Sequence, residues 1–366
     1  MKIGILSYPS VWGGHGVEHW LEEITNRLSK LHSFVIACSD SGPKLWSPSE
    51  HFLNAKIVEA HVHGRWKLPS TRGLIDIKGV FDDCDLIYFV FWPASWKLLV
   101  LSFQIFTGKP VIAGHHMTFN IESDTSTSLL GPSGMRLGKR LAANHVLSEE
   151  QRRALLRLGV DHIYKIPNGV DCEKLQPGKK FSRFTLLFIG SLIPQKGVDF
   201  LPRIVSILKD RKVDFDFYVI GAGPLSPIVK KMSESSNTKW LGYTDEETKR
   251  LLLASSHVLV APSRSETFML TGLEAMASGT PVVASNISGP REYVYSGRNG
   301  YLCESPGEIA EGVAQIYEAW TLDRFYSELC RNARATAERF DWTKIVNELD
   351  AMFTRVAGTR KRLYPS

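Results

Sequence analysis

Cysteine is scarce in this 366-residue sequence: Cys38, Cys84, Cys172, Cys303 and Cys330 are odd in number and scattered, with no C-x-x-C pair. That excludes a disulfide-framed scaffold and a zinc knuckle, and predicts a reducing cytosol. Long apolar runs are missing too. "LIYFVFWPASWKLLVLSFQIF" is broken by Pro93 and Lys97, so it reads as a buried strand and a helix rather than a membrane span. The opening "MKIGILSYPS" is strand-like and lacks the layout of a signal peptide. No internal repeat or low-complexity segment is present. "GGHG" is not G-x-G-x-x-G, which leaves nicotinamide binding without support. No nucleic-acid motif or aromatic interleaving accompanies the basic residues, so nucleic acid is not an expected partner.

The length favours two domains. Short apolar strands alternate with amphipathic helices throughout: "KIGILSY", "SFVIACS", "DLIYFVFW" and "PVIAGHH", then "FTLLFIGS", "FDFYVIGAG", "TKWLGY", "HVLVAPS" and "PVVAS". Strand and helix in regular alternation imply parallel sheets with right-handed crossovers. Two such series, divided near "IPNGVDCEKLQPGKK", imply an α/β protein of two Rossmann-like domains, residues 1–166 and 167–340, followed by an amphipathic segment at 341–366. Ligands of such sheets bind at the carboxyl ends of the strands, so a cleft between the domains is the expected site.

One stretch concentrates the chemistry. In "SRSETFMLTGLEAMASGTPVVAS", residues 263–285, seven residues separate Glu266 from Glu274. On one helix, eight steps of about 100° would leave the two side chains roughly 80° apart, off a common face. They are therefore expected on different elements: Glu266 on the loop after the strand "HVLVAPS", Glu274 on a helix from about Met269 to Ser278. Gly279 is placed to end that helix in the left-handed conformation. The first amides of the helix, Met269, Leu270 and Thr271, lack intrahelical partners and together with the macrodipole suit an anion such as a diphosphate. Two acids flanking such a site suit a ligand with hydroxyls at both ends and phosphates in the middle, which describes a nucleotide sugar.

With "LLFIGSLIPQKGVDFL", "IPNGVD", "WLGYTDEE", "VLVAPSRSE" and "GPREYVYSGRNGYL" in order around it, this stretch resembles the E-x7-E region of the retaining GT-B glycosyltransferases of family 4 (glycosyl transferases group 1). The resemblance implies GT-B architecture, two Rossmann-like domains with parallel sheets facing across a cleft. The first domain would hold the acceptor, the second the donor, and the C-terminal helix at 341–366 would cross back to the first. It also implies transfer of a sugar from a nucleotide diphosphate sugar to a glycan or lipid-linked acceptor, with retention at the anomeric carbon and no metal or other cofactor. By the same resemblance Glu274 would hold the ribose hydroxyls and Glu266 the donor sugar. The amides of Phe268, Met269 and Leu270 would take the distal phosphate or sugar, and Met269 stands where the family usually has glycine. Lys196 would neutralise the diphosphate. The family's arginine after Gly190 is replaced by Ser191, which shifts charge onto Lys196 and Arg264. Gly14 matches the glycine turn near the phosphates, and His116 the histidine lining the sugar site.

Other classes fit parts of the sequence. A non-catalytic nucleotide-sugar-binding protein would explain the missing arginine, and a nucleotide-sugar epimerase shares the architecture. "HGVEH" at 15–19 fits the zinc motif H-x-x-E-H, the mark of a zinc hydrolase. The net charge is +6, and Arg136, Lys139, Arg140, Arg152, Arg153 and Arg157 cluster with Met135, Leu137, Leu155, Leu156 and Leu158. That cluster predicts a cytoplasmic protein with a peripheral surface for anionic membrane, competing with a plain solvated helix face.

Overall fold

The computed structural model describes residues 1–7, 16–39, 52–60, 62–63, 68–90, 107–116, 137–322 and 325–363. The chain divides into two compact units: residues 1–168 with 343–366, and residues 169–342.

In the first unit the strands β1 (Lys2–Ser7), β2 (Ser33–Ser39), β3 (Ala55–Ala60), β4 (Leu86–Val90), β5 (Val111–His115), β6 (Ala143–Val146) and β7 (Ile163–Lys165) form one sheet, ordered β3-β2-β1-β4-β5-β6-β7. Every pairing in it is parallel. A parallel sheet is covered on both faces, which is why "LIYFV" and "VIAGH" are continuous buried runs without alternation. Helix α1 (Gly16–Arg27) buries Trp20, Leu21 and Ile24. Helix α2 (Thr71–Phe81) is started by Ser70, whose side chain accepts from the Gly73 amide. Its Ile77 and Phe81 close over Leu6, Phe89 and Val111. Helix α3 (Glu149–Arg157) is capped in the same way by Ser148.

The second unit repeats the plan. Strands β8 (Thr185–Ile189), β9 (Asp216–Ile220), β10 (Thr238–Gly242), β11 (Val258–Ala261), β12 (Val282–Ser285) and β13 (Gly300–Cys303) run in the order β10-β9-β8-β11-β12-β13, again all parallel. Helix α4 (Leu201–Asp210) buries Leu201, Ile204, Val205 and Leu208, one helical stripe. They pack with Leu186, Phe188, Val260, Val313 and Ile316 in a single core. The remaining helices are α5 (Ser226–Ser235), α6 (Glu246–Ser255), α7 (Leu270–Ala277), α8 (Ser288–Arg291), α9 (Pro306–Thr321) and α10 (Tyr326–Ala337). Helix α9 is capped by Ser305, which accepts from the Glu308 amide, while Glu308 accepts from the Glu304 amide just before the cap. Helix α11 (Trp342–Leu363) places residues from Thr343 onward in the first unit. There Asp350 meets His32 at 2.6 Å, and the Phe353 ring meets those of His32 and Tyr88.

In both sheets the strand order reverses at one place, between β1 and β4 and between β8 and β11. The loops leaving β8 and β11 therefore diverge at a switch point, where such sheets bind ligands. Those two loops carry Gly190, Ser191 and Lys196 on one side and Arg264 to Met269 on the other.

Candidate functional site

In the second unit the two loops are stitched together before any side chain acts. The Arg264 amide donates to the Gln195 carbonyl at 2.7 Å, and Gln195 returns a bond from Nε2 to the Ser265 carbonyl at 3.2 Å. Gly197 sits at φ 66°, and a Cβ there would lie 1.9 Å from the Pro262 carbonyl oxygen. Only glycine allows this turn and this approach.

The turn delivers Lys196 to Glu266. Its Nζ donates to Glu266 Oε1 at 2.6 Å, and Ser263 Oγ donates to the same oxygen at 2.8 Å. The two residues expected at the sugar and the diphosphate are thus joined to each other. Arg264, expected to share the phosphate charge, is engaged elsewhere. Its guanidinium grips Asp199 in a bidentate pair at 2.7 and 2.6 Å and lies 4.0 Å over the Phe200 ring. This pair holds the Asp199 carboxyl below its ordinary pKa. Ser191 is exposed, and the Gly190 amide is used by the Ile220 carbonyl at 3.1 Å.

Helix α7 runs one residue shorter at each end than its sequence suggests, and Gly279 ends it at φ 68° as expected. Its start is unusual. Met269 is the N-cap and takes the left-handed conformation, φ 56° and ψ 73°, which costs a side-chain-bearing residue roughly 1–2 kcal/mol. Two contacts hold it there. Tyr293 donates its hydroxyl to the Met269 carbonyl at 2.7 Å, and the neighbouring Phe268 is buried against Tyr293 and Phe340 at ring distances of 5.7 and 5.8 Å. Burial, with Glu266 and Glu274 nearby, pushes the Tyr293 phenol well above its ordinary pKa. It therefore remains a donor. The amides of Phe268, Met269 and Leu270 donate to no group among the described residues.

Glu274 follows one turn later. Its Oε1 accepts from Lys249 Nζ of α6 at 2.9 Å, whereas its Oε2 is buried with no hydrogen-bond partner. Burial alone would lower the Lys249 pKa; the carboxylates of Glu274 and Glu246 outweigh it and raise the pKa. A buried acceptor without a donor costs about 1–3 kcal/mol, and a ligand hydroxyl is the group that would relieve it. Sequence reasoning missed Lys249, Ser263, Tyr293 and Asp199.

In the first unit His116 follows β5. The Gln151 Nε2 group fixes the strand's exit by donating to the His115 carbonyl at 3.0 Å. The His116 ring sits 4.4 Å from the Trp20 ring, and its Nε2 lies 2.9 Å from the Tyr88 hydroxyl. That hydroxyl is also 2.6 Å from His145 Nδ1, and His145 Nε2 is 2.7 Å from the Ile166 carbonyl oxygen. Tyr88 belongs to β4 and His145 to β6, with β5 between them. A Cβ on Gly114 of β5 would lie 2.0 Å from the Tyr88 oxygen. The glycine is the gap through which the phenol crosses. Burial depresses His145 to about 4, and burial with His145 and His115 nearby keeps His116 well below its ordinary value. Both rings are neutral at pH 7.

Gly14 and His15 lie outside the described residues, as do Met135 and Arg136. No cluster of three His, Cys, Asp or Glu side chains suited to a metal occurs among the described residues. In the basic stretch, Leu155 is buried and Leu158 packs against its cluster, so these two leucines belong to the core rather than to a membrane-facing surface. Arg152 and Arg153 both pair with Glu149, at 3.1 and 3.3 Å. Leu156 and Arg157 are exposed. No helix among the described residues is long and apolar enough to cross a membrane.

Comparison with known proteins adds to this geometry. Residues 14–174 match the family described as Glycosyltransferase Family 4, and residues 183–319 match Glycosyl transferases group 1. The phosphatidyl-myo-inositol mannosyltransferase of Mycobacterium tuberculosis is 27% identical over 384 residues, covering 98% of each chain. An uncharacterized glycosyltransferase of Methanocaldococcus jannaschii is 32% identical over 165 residues, which span 44% of this chain and 45% of that protein. Among solved structures, Anabaena HepE in complex with UDP-glucose superposes with a TM-score of 0.77 at 19% identity, over 97% of this chain and 100% of that one. The matches favour glycosyl transfer over the zinc hydrolase and give the two sheets their GT-B architecture. The chain belongs to the family 4 glycosyltransferases.

Proposed function

We propose that the chain is a hexosyltransferase that takes its sugar from a nucleoside diphosphate sugar held by the second unit. It passes the sugar to a glycan or lipid-linked acceptor with retention at the anomeric carbon. The observation carrying this reading is the pairing, on one short helix, of unpartnered amides at its start with an unpartnered buried carboxylate oxygen one turn later. A diphosphate answers the first and a ribose diol the second. Lys249 holds Glu274 in place as an ion pair rather than serving the phosphates.

Lys196 and Glu266 then act as an exchangeable pair. The arriving diphosphate competes for the ammonium, and the released carboxylate, still held by Ser263, accepts hydroxyls of the donor sugar. As the glycosidic bond to the diphosphate breaks, negative charge grows on the leaving oxygens. Lys196 and the amides at the start of α7 are placed to stabilise it. Arg264 is not assigned this work, because it would have to leave Asp199. With these groups bearing the charge, the proposal requires no metal. In the first unit His116 serves a sugar hydroxyl. The end-to-end alignment with a phosphatidyl-myo-inositol mannosyltransferase supports a lipid-linked acceptor.

A binding and hydrolysis screen with UDP-, GDP- and ADP-sugars tests the reading. One of them should bind and be slowly hydrolysed; binding by none would refute it. A peripheral membrane face is a second proposal, supported by exposed Lys139, Arg140, Arg152, Arg153, Leu156 and Arg157. Such a patch binds reversibly and only at low salt, because its pull decays over about 8 Å at physiological ionic strength. Co-sedimentation should be seen with anionic vesicles and not with neutral ones; equal, negligible pelleting with both would rule out a membrane face.

A further inference from the structure

The hydrogen-bond chain behind His116 has a direction, and the direction follows from which atoms can donate. A backbone carbonyl only accepts, so the 2.7 Å contact to the Ile166 oxygen requires the hydrogen on His145 Nε2. The His145 ring is neutral, its pKa depressed to about 4 by burial, so its Nδ1 is bare. The 2.6 Å contact to Nδ1 therefore takes the single proton of the Tyr88 hydroxyl. Tyr88 has no second proton to give. At 2.9 Å its oxygen accepts from His116, so the His116 hydrogen stands on Nε2. His116 is neutral as well, which leaves Nδ1 as a bare acceptor, and no described residue hydrogen-bonds to it.

We infer that Tyr88 and His145 are positioning residues for the transfer reaction: they lock His116 as the Nε2–H tautomer, so that Nδ1 accepts a hydrogen bond from a substrate hydroxyl. The inference rests on the proposed role of His116 at a sugar, but the tautomer itself does not. Three features besides the contacts support a dedicated arrangement. The chain spans three neighbouring strands; Gly114 leaves the gap through which the phenol reaches both rings. The Trp20 ring, 4.4 Å from His116, restricts rotation of the imidazole. A histidine whose only task is packing needs none of these. The consequence is chemical: an acceptor nitrogen can orient a hydroxyl by taking its proton into a hydrogen bond, whereas an N–H at that position would address the hydroxyl oxygen instead.

The test is nitrogen NMR of the histidine rings in the substrate-free protein, with His116 assigned from the signal missing in His116→Gln. The wild type should show protonated Nε2 and bare Nδ1 at pH 7. Tyr88→Phe keeps the ring and removes only the hydroxyl; it should give a mixture of His116 tautomers and about a tenfold lower kcat, with KM for the nucleotide sugar within about twofold. His145→Asn, whose Oδ1 can take the Tyr88 proton, should keep the wild-type tautomer and most of the activity. Protonated Nδ1 in the wild type would overturn the inference. So would a Tyr88→Phe spectrum like the wild type, or an equal kcat loss in both variants. If Tyr88→Phe does not fold, the wild-type and His145→Asn spectra still decide. A wild type that transfers no sugar but shows the Nε2–H tautomer would count against the proposed function and leave the locked tautomer standing.

Discussion

In the second unit the groups of the candidate site are charged and paired, Lys196 with Glu266 and Lys249 with Glu274. In the first unit Tyr88, His116 and His145 are neutral and joined by shared protons. The two sheets share a strand order, with the reversal at the same place, so topology does not explain the contrast. The ligands do. A nucleoside diphosphate brings its own charges, and a site of exchangeable ion pairs can meet them without leaving a bare charge when the ligand departs. A sugar hydroxyl is uncharged and offers only a proton and lone pairs, and a chain that fixes where protons stand suits it.

Removing one charge should break the second unit's half of this contrast most strongly. Lys196→Ala is expected to lower kcat/KM by about 100-fold, as losing one transition-state donor does, while the His116 tautomer is untouched. Steady-state kinetics checks this; a loss under about threefold would put the phosphate charge elsewhere.

The first unit should be exposed by acid instead. His145 is depressed to about 4 from 6.5. Its neutral folded form therefore adds stability that is complete above about pH 6.5 and is lost as pH falls toward 4, because the unfolded chain takes up the proton first. At pH 4.5 that loss is about 2–3 kcal/mol from this group. Urea midpoints at pH 7 and 4.5 should differ less in His145→Asn than in the wild type. An unchanged difference would contradict the buried neutral ring.

A smaller effect separates backbone from side chain at the start of α7. Met269 stands at φ 56°, where glycine is unstrained and a residue with a Cβ is not. Met269→Gly should be more stable than Met269→Ala by about 1 kcal/mol, measured by denaturant unfolding. The reverse order would mean that the left-handed turn is not retained. Least of all should EDTA matter: transfer should survive chelation within error. Restoration by Mg²⁺ or Mn²⁺ of an activity lost to EDTA would show that the cations of this chain are insufficient.

Much of the fold is legible in the chain because its signals are local. Apolar runs such as "LIYFV" and "VLVA" read as buried strands, and their alternation with helices implies parallel sheets. Glu266, Glu274 and Lys196 are legible from the ordered motifs and the place of a helix start. What the chain hides depends on tertiary neighbours. Lys249 reads as one more exposed lysine of "DEETKRLL" until α6 is set beside α7. Arg264 reads as a phosphate ligand until Asp199 captures it. A methionine gives no hint of a left-handed N-cap. Tyr88 and His145 sit inside apolar strands, where a polar ring is usually a satisfied core residue; only their contacts with each other and with His116 support the positioning role proposed for them.

On the proposed function, the buried, unpartnered oxygen of Glu274 receives the donor's diol. Calorimetric titration of wild type and Glu274→Gln with the nucleoside diphosphate sugar that binds best tests it directly. Glutamine can still accept from Lys249 but replaces the waiting oxygen with an amide. The expected result is a folded variant with affinity weakened about tenfold or more. An unchanged affinity in that variant would contradict it.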